Sequence, residues 1–348
     1  MMDSELLERL QPLIVALTQK RHTWAELSGL SGLAPPELAG ALIDLGIFGD
    51  STVDAVLDQL HPQPFPPLQL LDADRLKGQP GSIAIDALWS VGSTNRIVQQ
   101  RLQNATVASG PVAVTCEYQT AGRGRMQRVW VAPLARNVML SLGAHLPASA
   151  ASLAGLSLAV GVEVCRALAD VGCIERAGRA LGLKWPNDLL LQDDKIGGIL
   201  VEVHPDEHGT VGVIIGVGIN LYLPQRFQQS LDRPAAHLHA PSVRDLDRNA
   251  LIVALVRRFE QLLTAWPDSG FAPWMDAFEQ LHLWQGRQAR VLATADTSAS
   301  NAANTPNAPN ALVSGQIQGV NEAGELGLLT PDGQCVWIRS GELSLRLS

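Results

Sequence analysis

Apolar side chains recur every three or four residues over the first fifty positions and then regroup into short β-rich runs, and this change of period divides the chain. The first pattern predicts helices from Leu6 to Lys20, Thr23 to Leu30 and Pro35 to Leu45. Thr23 stands three residues before Glu26, the spacing of a capping box, and Pro35-Pro36 suits a helix start. The stiff stretch His61-Pro62-Gln63-Pro64-Phe65-Pro66-Pro67 can join neither a helix nor a central strand and marks a first boundary.

From Ser82 the pattern predicts strands from Ile83 to Trp89, Val112 to Tyr118, Val138 to Leu146, Leu183 to Leu191, Gly198 to His204 and Val211 to Leu221. Helices are expected from Thr94 to Leu102, Leu153 to Val171, Asn249 to Trp266 and Phe271 to Leu281. A tight connection falls at Gln192-Asp193-Asp194. Hairpins interleaved with helices imply an α+β domain whose mixed sheet is covered by helices on one side. Beyond Gln285, strands from Gln288 to Leu292, Val313 to Val320, Leu326 to Leu329, Cys335 to Arg339 and Leu343 to Leu347 suggest a small β-barrel. The Ala/Asn/Thr/Pro-rich tract from Ala293 to Ala311 reads as a flexible loop within it. The division is therefore 1–67, 68–283 and 284–348.

At 348 residues the chain exceeds one ordinary core and carries enough apolar content for each part to bury one. The formal charge of -8 argues against general nucleic-acid binding. The helix order of the first segment resembles a helix-turn-helix, but the stretch from Pro36 to Asp44 presents only Glu37 and Asp44 where a groove reader needs Arg, Lys, Asn or Gln. From Met1 to Pro67, three basic residues against nine acidic ones leave a net -6, a surface that repels phosphates. A small helical accessory domain is the expectation, and DNA binding is not. Cys116, Cys165, Cys173 and Cys335 lack metal-type spacing and lie among apolar residues, so reduced, buried thiols are expected. No apolar run approaches the roughly eighteen residues of a membrane span, and Met1 to Glu5 lacks the basic flank of a secretion signal. Cytoplasmic residence without membrane contact follows as an expectation.

Chemistry concentrates in a handful of short stretches. Gly122-Arg123-Gly124-Arg125-Met126-Gln127-Arg128-Val129-Trp130 joins guanidinium forks to an open backbone, a combination suited to carboxylate and phosphate oxygens, with Trp130 as a flat lid. Lys184-Trp185-Pro186-Asn187-Asp188 places an ammonium at a strand end, and Asn187-Asp188 reads either as a turn or as ligands for a nucleotide and its magnesium. Lys195 with Gly197-Gly198 again pairs a cation with a permissive backbone. Gly216 and Gly218, ahead of Asn220, weaken an apolar strand unless a ligand or another backbone lies against it. Ser93-Thr94-Asn95 opens a helix, where it serves as an ordinary N-cap or as a set of donors to a ligand. There is no Gly-x-x-x-x-Gly-Lys-Ser/Thr loop and no complete dinucleotide fingerprint. His204 and His208 flank a turn rather than sharing a helix face, and no Ser/His/Asp or Cys/His set stands out. Such a site brings anions together without a covalent nucleophile of its own.

These residues resemble the bifunctional bacterial biotin–protein ligases over nearly the whole chain. The resemblance rests on Ser93-Thr94-Asn95, Glu117-Tyr118-Gln119 leading into Gly122 to Arg125, Lys184 to Asp188, Lys195 to Glu202, and Gly216 to Asn220. It implies a helix-turn-helix head, a catalytic domain and an SH3-like C-terminal barrel. It also implies that biotin is activated with ATP and Mg2+ and then passed to a lysine of the biotin carboxyl carrier protein of acetyl-CoA carboxylase. By position, Ser93, Thr94, Asn95, Gln119, Arg123, Gly124, Arg125 and Lys184 hold biotin and its activated carboxyl, and Trp130 packs on the adenine. Lys184, Arg123 and Arg125 carry the catalytic electrostatics, Asn187, Gly216, Gly218 and Asn220 complete the ligand set, and Asp188 is the candidate for magnesium. A homodimer is implied by the resemblance alone.

The chain departs from the family in two places. Gln127 replaces the family's usual glycine, which alters how the loop closes. The acidic head lacks a basic wing after Phe48. Two other readings are a biotin-responsive repressor that keeps the ligase domain as a sensor, and a lipoate or octanoate ligase; the Gly122 to Arg125 loop favours biotin.

Overall fold

Residues 3–64, 67–77, 83–104, 110–173, 180–205, 210–231, 234–238, 246–293, 313–339 and 343–347 are described by the computed structural model of the chain. Its first helices are α1 (Ser4–Gln19), α2 (Trp24–Ser31) and α3 (Pro35–Asp44), followed by a short α4 (Val53–Leu57) that the pattern reading missed. The expected capping box closes α2: the Thr23 amide donates to Glu26 Oε2 at 2.8 Å and the Glu26 amide to Thr23 Oγ1 at 3.4 Å. Leu7, Leu10, Ile14, Leu27, Leu38 and Phe48 make a core of their own, which continues onto Leu134 and Ala135 of the central part. Arg136 fastens the two together. Its guanidinium donates to the carbonyls of Gly46, Ile47 and Pro67, and burial pushes its pKa down to about 9.

After α5 (Ala73–Lys77), a seven-stranded mixed sheet runs in the order β1-β2-β3-β7-β6-β5-β4. Its members are β1 (Ile85–Val91), β2 (Val112–Gln119), β3 (Val138–Leu146), β4 (Leu181–Lys184), β5 (Asp188–Leu191), β6 (Asp194–Pro205) and β7 (Val211–Ile219). β1 and β2 are parallel and every other pairing is antiparallel. A parallel pair needs a crossover, and α6 (Thr94–Gln103) supplies it.

That crossover overturns the expectation of helices on one side. α7 (Leu156–Asp170) and a long helix, α9 (Arg248–Ser269), pack on the face presented by Val213, Ile215 and Val217. Val98 and Leu102 of α6 pack on the opposite face, against Val114 and Ile214. Val213, Ile214 and Ile215 alternate between the two layers, as the period of two requires. The unbroken apolar run of β7 carried this information, because a strand buried on both faces loses its polar alternation. The segment Ala151–Asp170 is long and apolar enough to cross a membrane, yet most of it is buried inside the fold.

A second correction concerns the single strand expected from Leu183 to Leu191. It is a hairpin: β4 and β5 pair antiparallel, with Lys184 opposite Asp188. Pro186 cannot continue a paired strand, so the chain reverses at Trp185-Pro186-Asn187 through a cis Trp185–Pro186 bond. Trp185 turns into the core and donates Nε1 to the Gly324 carbonyl at 3.0 Å.

Beyond α8 (Gln225–Gln229), α9 and α10 (Met275–Leu281), a separate five-stranded antiparallel sheet ends the described chain. Its order is β11-β10-β9-β8-β12, from β8 (Gln288–Ala293), β9 (Val313–Val320), β10 (Leu326–Leu329), β11 (Cys335–Ile338) and β12 (Leu343–Leu347). The flexible tract expected from Ala293 to Ala311 lies, apart from Ala293, outside the described residues, as does His208. All four cysteines are free; Cys335 is exposed rather than buried, because β11 is an edge strand.

Candidate active site

The residues singled out from sequence line one cavity of about 650 Å³ on the α6 face of the sheet. It includes Ser93, Thr94, Asn95, Gln119, Arg123, Gly124, Arg125, Trp130, Lys184, Asn187, Asp188, Gly216, Gly218 and Asn220. Four separate stretches of chain are thereby brought to one place.

One end of the cavity is neutral and polar. Ser93 occupies the N-cap position of α6 but makes no capping bond with its side chain, and Ser93, Thr94 and Asn95 are all buried. The Thr94 amide and hydroxyl both donate to Gln119 Oε1, at 2.8 and 3.2 Å. Ser141, a buried hydroxyl inside apolar β3, donates to Thr94 Oγ1 at 2.7 Å or to Asn95 Oδ1 at 2.6 Å. This cluster holds its amides and hydroxyls in fixed directions, the preorganisation that recognition of a polar ligand head requires. Sequence reasoning passed over Ser141, although a hydroxyl within Val138–Leu146 was a visible break in an apolar run.

The glycines of β7 make room for side chains from elsewhere in the chain. A side chain on Gly216 would overlap the Asn95 carboxamide, and a Cβ on Gly218 would stand 2.5 Å from Trp130 Cε2. Side chains of this protein, rather than another backbone, lie against the strand. The Trp130 ring thus rests over Gly218, with Gly198 beside it.

The other end is cationic. The arginine loop makes a tight turn: the Gly124 amide donates to the Arg128 carbonyl at 2.7 Å and the Trp130 amide to the Gly122 carbonyl at 2.9 Å. Met126 and Gln127 at its tip have φ of 55° and 57°, left-handed values that favour glycine. Arg123 Nη2 donates to Glu202 Oε2 at 2.6 Å, and the same oxygen accepts from Asn95 Nδ2 at 2.7 Å. Glu202, which had no role assigned from sequence, therefore joins the two ends. Arg125 donates to Asn187 Oδ1 at 3.3 Å, while Asn187 Nδ2 donates to the Ile199 carbonyl at 2.6 Å. Burial lowers the pKa of Arg125, and Asp188 opposes that shift.

Lys184 and Lys195 flank Asp188, with Nζ to carboxylate distances of 3.9 and 2.5 Å. Among the described residues no group of three or more His, Cys, Asp or Glu side chains is placed to hold a metal ion. Asp188 is the one carboxylate among the cavity-lining residues that a magnesium ion would meet, and the ion would have to draw most of its other ligands from outside the protein. Asn220 closes the floor: it is buried, accepts from Asn137 Nδ2 at 3.1 Å and donates to the Ala236 carbonyl at 3.1 Å. Cys116 is buried against Ala132 and Met139, and burial holds its thiol well above the usual range, away from the thiolate form. The arrangement neutralises and orients anions beside a rigid polar pocket.

The model of the biotin/lipoate A/B protein ligase family matches residues 89–220, the span from β1 to the end of the cavity floor. The bifunctional ligase/repressor BirA of Escherichia coli is 31% identical over 280 residues, covering 80% of this chain and 79% of that protein. The chain belongs to the biotin/lipoate A/B protein ligase family. Within it, the biotin–[acetyl-CoA-carboxylase] ligase of Mycobacterium tuberculosis is 33% identical over 183 residues, 52% of this chain and 65% of that one. The solved biotin protein ligase of Aquifex aeolicus, in complex with biotin and ATP, superposes with a TM-score of 0.58 at 27% identity, over 76% of this chain and 99% of that one.

Proposed function

We propose that this cavity joins biotin to the AMP portion of ATP and then passes biotin to a lysine of a carrier domain. The observation that carries the reading is the meeting, in one cavity, of a buried hydroxyl and amide cluster with Arg123, Arg125 and Lys184. Its support is membership of the family and likeness to proteins named as biotin ligases.

The first step attacks the α-phosphorus of ATP with a carboxylate oxygen and expels pyrophosphate. Two anions must approach, so the barrier is largely electrostatic, and fixed cations lower it. In this reading Ser93, Thr94, Asn95 and Gln119 bind the biotin head, and Arg123, Gly124 and Arg125 hold its carboxylate against the phosphate. Trp130 forms the adenine-side wall, with Gly216, Gly218, Asn187 and Asn220 shaping the rest. Asp188 is the carboxylate that would meet a magnesium ion carried by the triphosphate, and that ion would supply neutralisation of phosphate charge. In the second step the carrier lysine attacks the acyl carbonyl, AMP leaves, and Lys184 stabilises the developing oxyanion. No protein nucleophile takes part.

The same reading makes residues 1–67 a helix-turn-helix-like accessory domain, 68–283 the catalytic domain and 284–348 an SH3-like domain. It places the chain in the cytoplasm, with a biotin carboxyl carrier protein of acetyl-CoA carboxylase as partner and a homodimer as its assembly. DNA binding is not carried over, since α3 presents Glu37 and Asp44 where a groove reader needs donors. Biotin-dependent exchange of labelled pyrophosphate into ATP tests the first step. Exchange with biotin but not lipoate supports the assignment, and exchange with lipoate alone overturns it.

A further inference from the structure

Lys184 is gripped from a direction that the rest of the cavity does not supply. Its ammonium lies 4.2 Å from the ring centroid of Trp284. Trp284 belongs to the turn between α10 and β8, at the root of the C-terminal sheet. Both partners are buried or nearly so: Trp284 is 7% exposed and the Lys184 side chain 11%. In such a desolvated place the face of an indole attracts an ammonium far more than it does in water.

The turn that delivers Trp284 is fastened on both sides. Toward the central sheet, the Leu283 amide donates to the Leu183 carbonyl at 3.0 Å, one residue before Lys184. Gly182 leaves no room for a side chain there, because a Cβ would overlap the Leu281 carbonyl. Toward the C-terminal sheet, the Arg287 amide donates to the Trp284 carbonyl, the Gly286 amide to the Ile317 carbonyl and the Ile317 amide to the Arg287 carbonyl, each at 3.0 Å. The Arg287 guanidinium reaches Asp193 at 2.6 Å. The indole is therefore held in a rigid frame shared by the two sheets.

Titratable neighbours among the described residues face the same ammonium. The Asp188 carboxylate lies 3.9 Å away and favours the charged form. His282 is buried on the other side, stacked on Phe278 at 5.3 Å. Burial, with the Lys184 charge adding to it, pushes its pKa down to about 4, so it faces Lys184 as a neutral ring.

We propose that Trp284 is the positioning residue for Lys184: its ring face holds the ammonium at the cavity wall, so that the C-terminal sheet sets the geometry of the lysine used in transfer. The inference rests on the ligase reading above. A change at Trp284 thus acts on chemistry through Lys184, with no contact to either substrate.

The test uses the full chain, biotin, magnesium ATP and a purified biotin carboxyl carrier domain, with transfer followed in a single turnover. W284L keeps an apolar side chain and removes the ring. We expect it to slow transfer about tenfold, the scale of a lost buried cation–π contact. W284F, which restores a ring face, recovers most of that loss. If W284L fails to fold, a multiply fluorinated tryptophan placed at 284 alone keeps the shape while draining the negative ring face; it should slow transfer in the same way. A wild-type rate in the fluorinated protein, or equal losses in W284L and W284F, would leave Trp284 a packing residue and overturn the inference. Absence of ATP-dependent labelling by the wild-type chain would sink the ligase reading, and this inference with it.

Discussion

Asn95 lies directly on Gly216, so the carboxamide from the first turn of α6 fills the space that a side chain in the middle of β7 would take. The contact places the Asn95 carboxamide where it accepts from Ser141 and donates to Glu202. Gly216→Ala must push that carboxamide out of the cluster, at a cost of about 1–3 kcal/mol for overpacking. Biotin affinity measured by calorimetry should fall tenfold or more while the circular dichroism spectrum stays native. Unchanged affinity would show that the position of Asn95 is not sensed by the ligand.

Lys184→Ala should cost at least about 2 kcal/mol of barrier, the scale of one lost electrostatic donor in a preorganised site. Single-turnover transfer from preformed biotinyl-adenylate is the direct reading, and a slowing of about thirtyfold is expected. Near-normal transfer would remove Lys184 from the mechanism.

Gln127 holds a φ of 57° at the tip of the arginine loop. For a residue with a Cβ, the left-handed region costs about 1–2 kcal/mol. Gln127→Gly should therefore stabilise this loop conformation and change the lifetime of bound adenylate severalfold. Stopped-flow release of biotinyl-adenylate and the affinity for biotin report on it together; the idea fails if neither moves.

The pKa of His282, held near 4 by burial and the nearby Lys184, gives stability a specific pH dependence. Between an ordinary imidazole value near 6.5 and about 4, the unfolded chain binds a proton that the native ring refuses. Stability contributed by the neutral ring is complete above about pH 6.5 and is lost as pH falls toward 4. Urea denaturation from pH 7 to 4 should show this slope in the wild type and a shallower one in His282→Gln. Parallel slopes would contradict it.

Much of the architecture could be read before any coordinates, because local signals carried it. The Thr23 and Glu26 spacing announced α2, and the apolar runs announced the sheet strands. Pro186 marked a strand limit, yet its consequence, a hairpin setting Lys184 opposite Asp188, required knowing that both arms belong to one sheet. Gly216 and Gly218 were visible as weak points of β7, but their occupants, Asn95 and Trp130, come from distant stretches of chain. Glu202 and Trp284 had no local signature, since a bridging carboxylate and an ammonium resting on an indole exist only after folding. The cavity's lining was thus legible in residue types, while the contacts that aim those residues were not.

The most direct test of the whole account is the intact mass of a biotin carboxyl carrier domain after incubation with this protein, biotin and magnesium ATP, with an ATP-free control. The account predicts the gain of a single biotin on the carrier in the complete mixture and none in the control. An unchanged carrier mass in both, with biotin still bound by the protein, would contradict it.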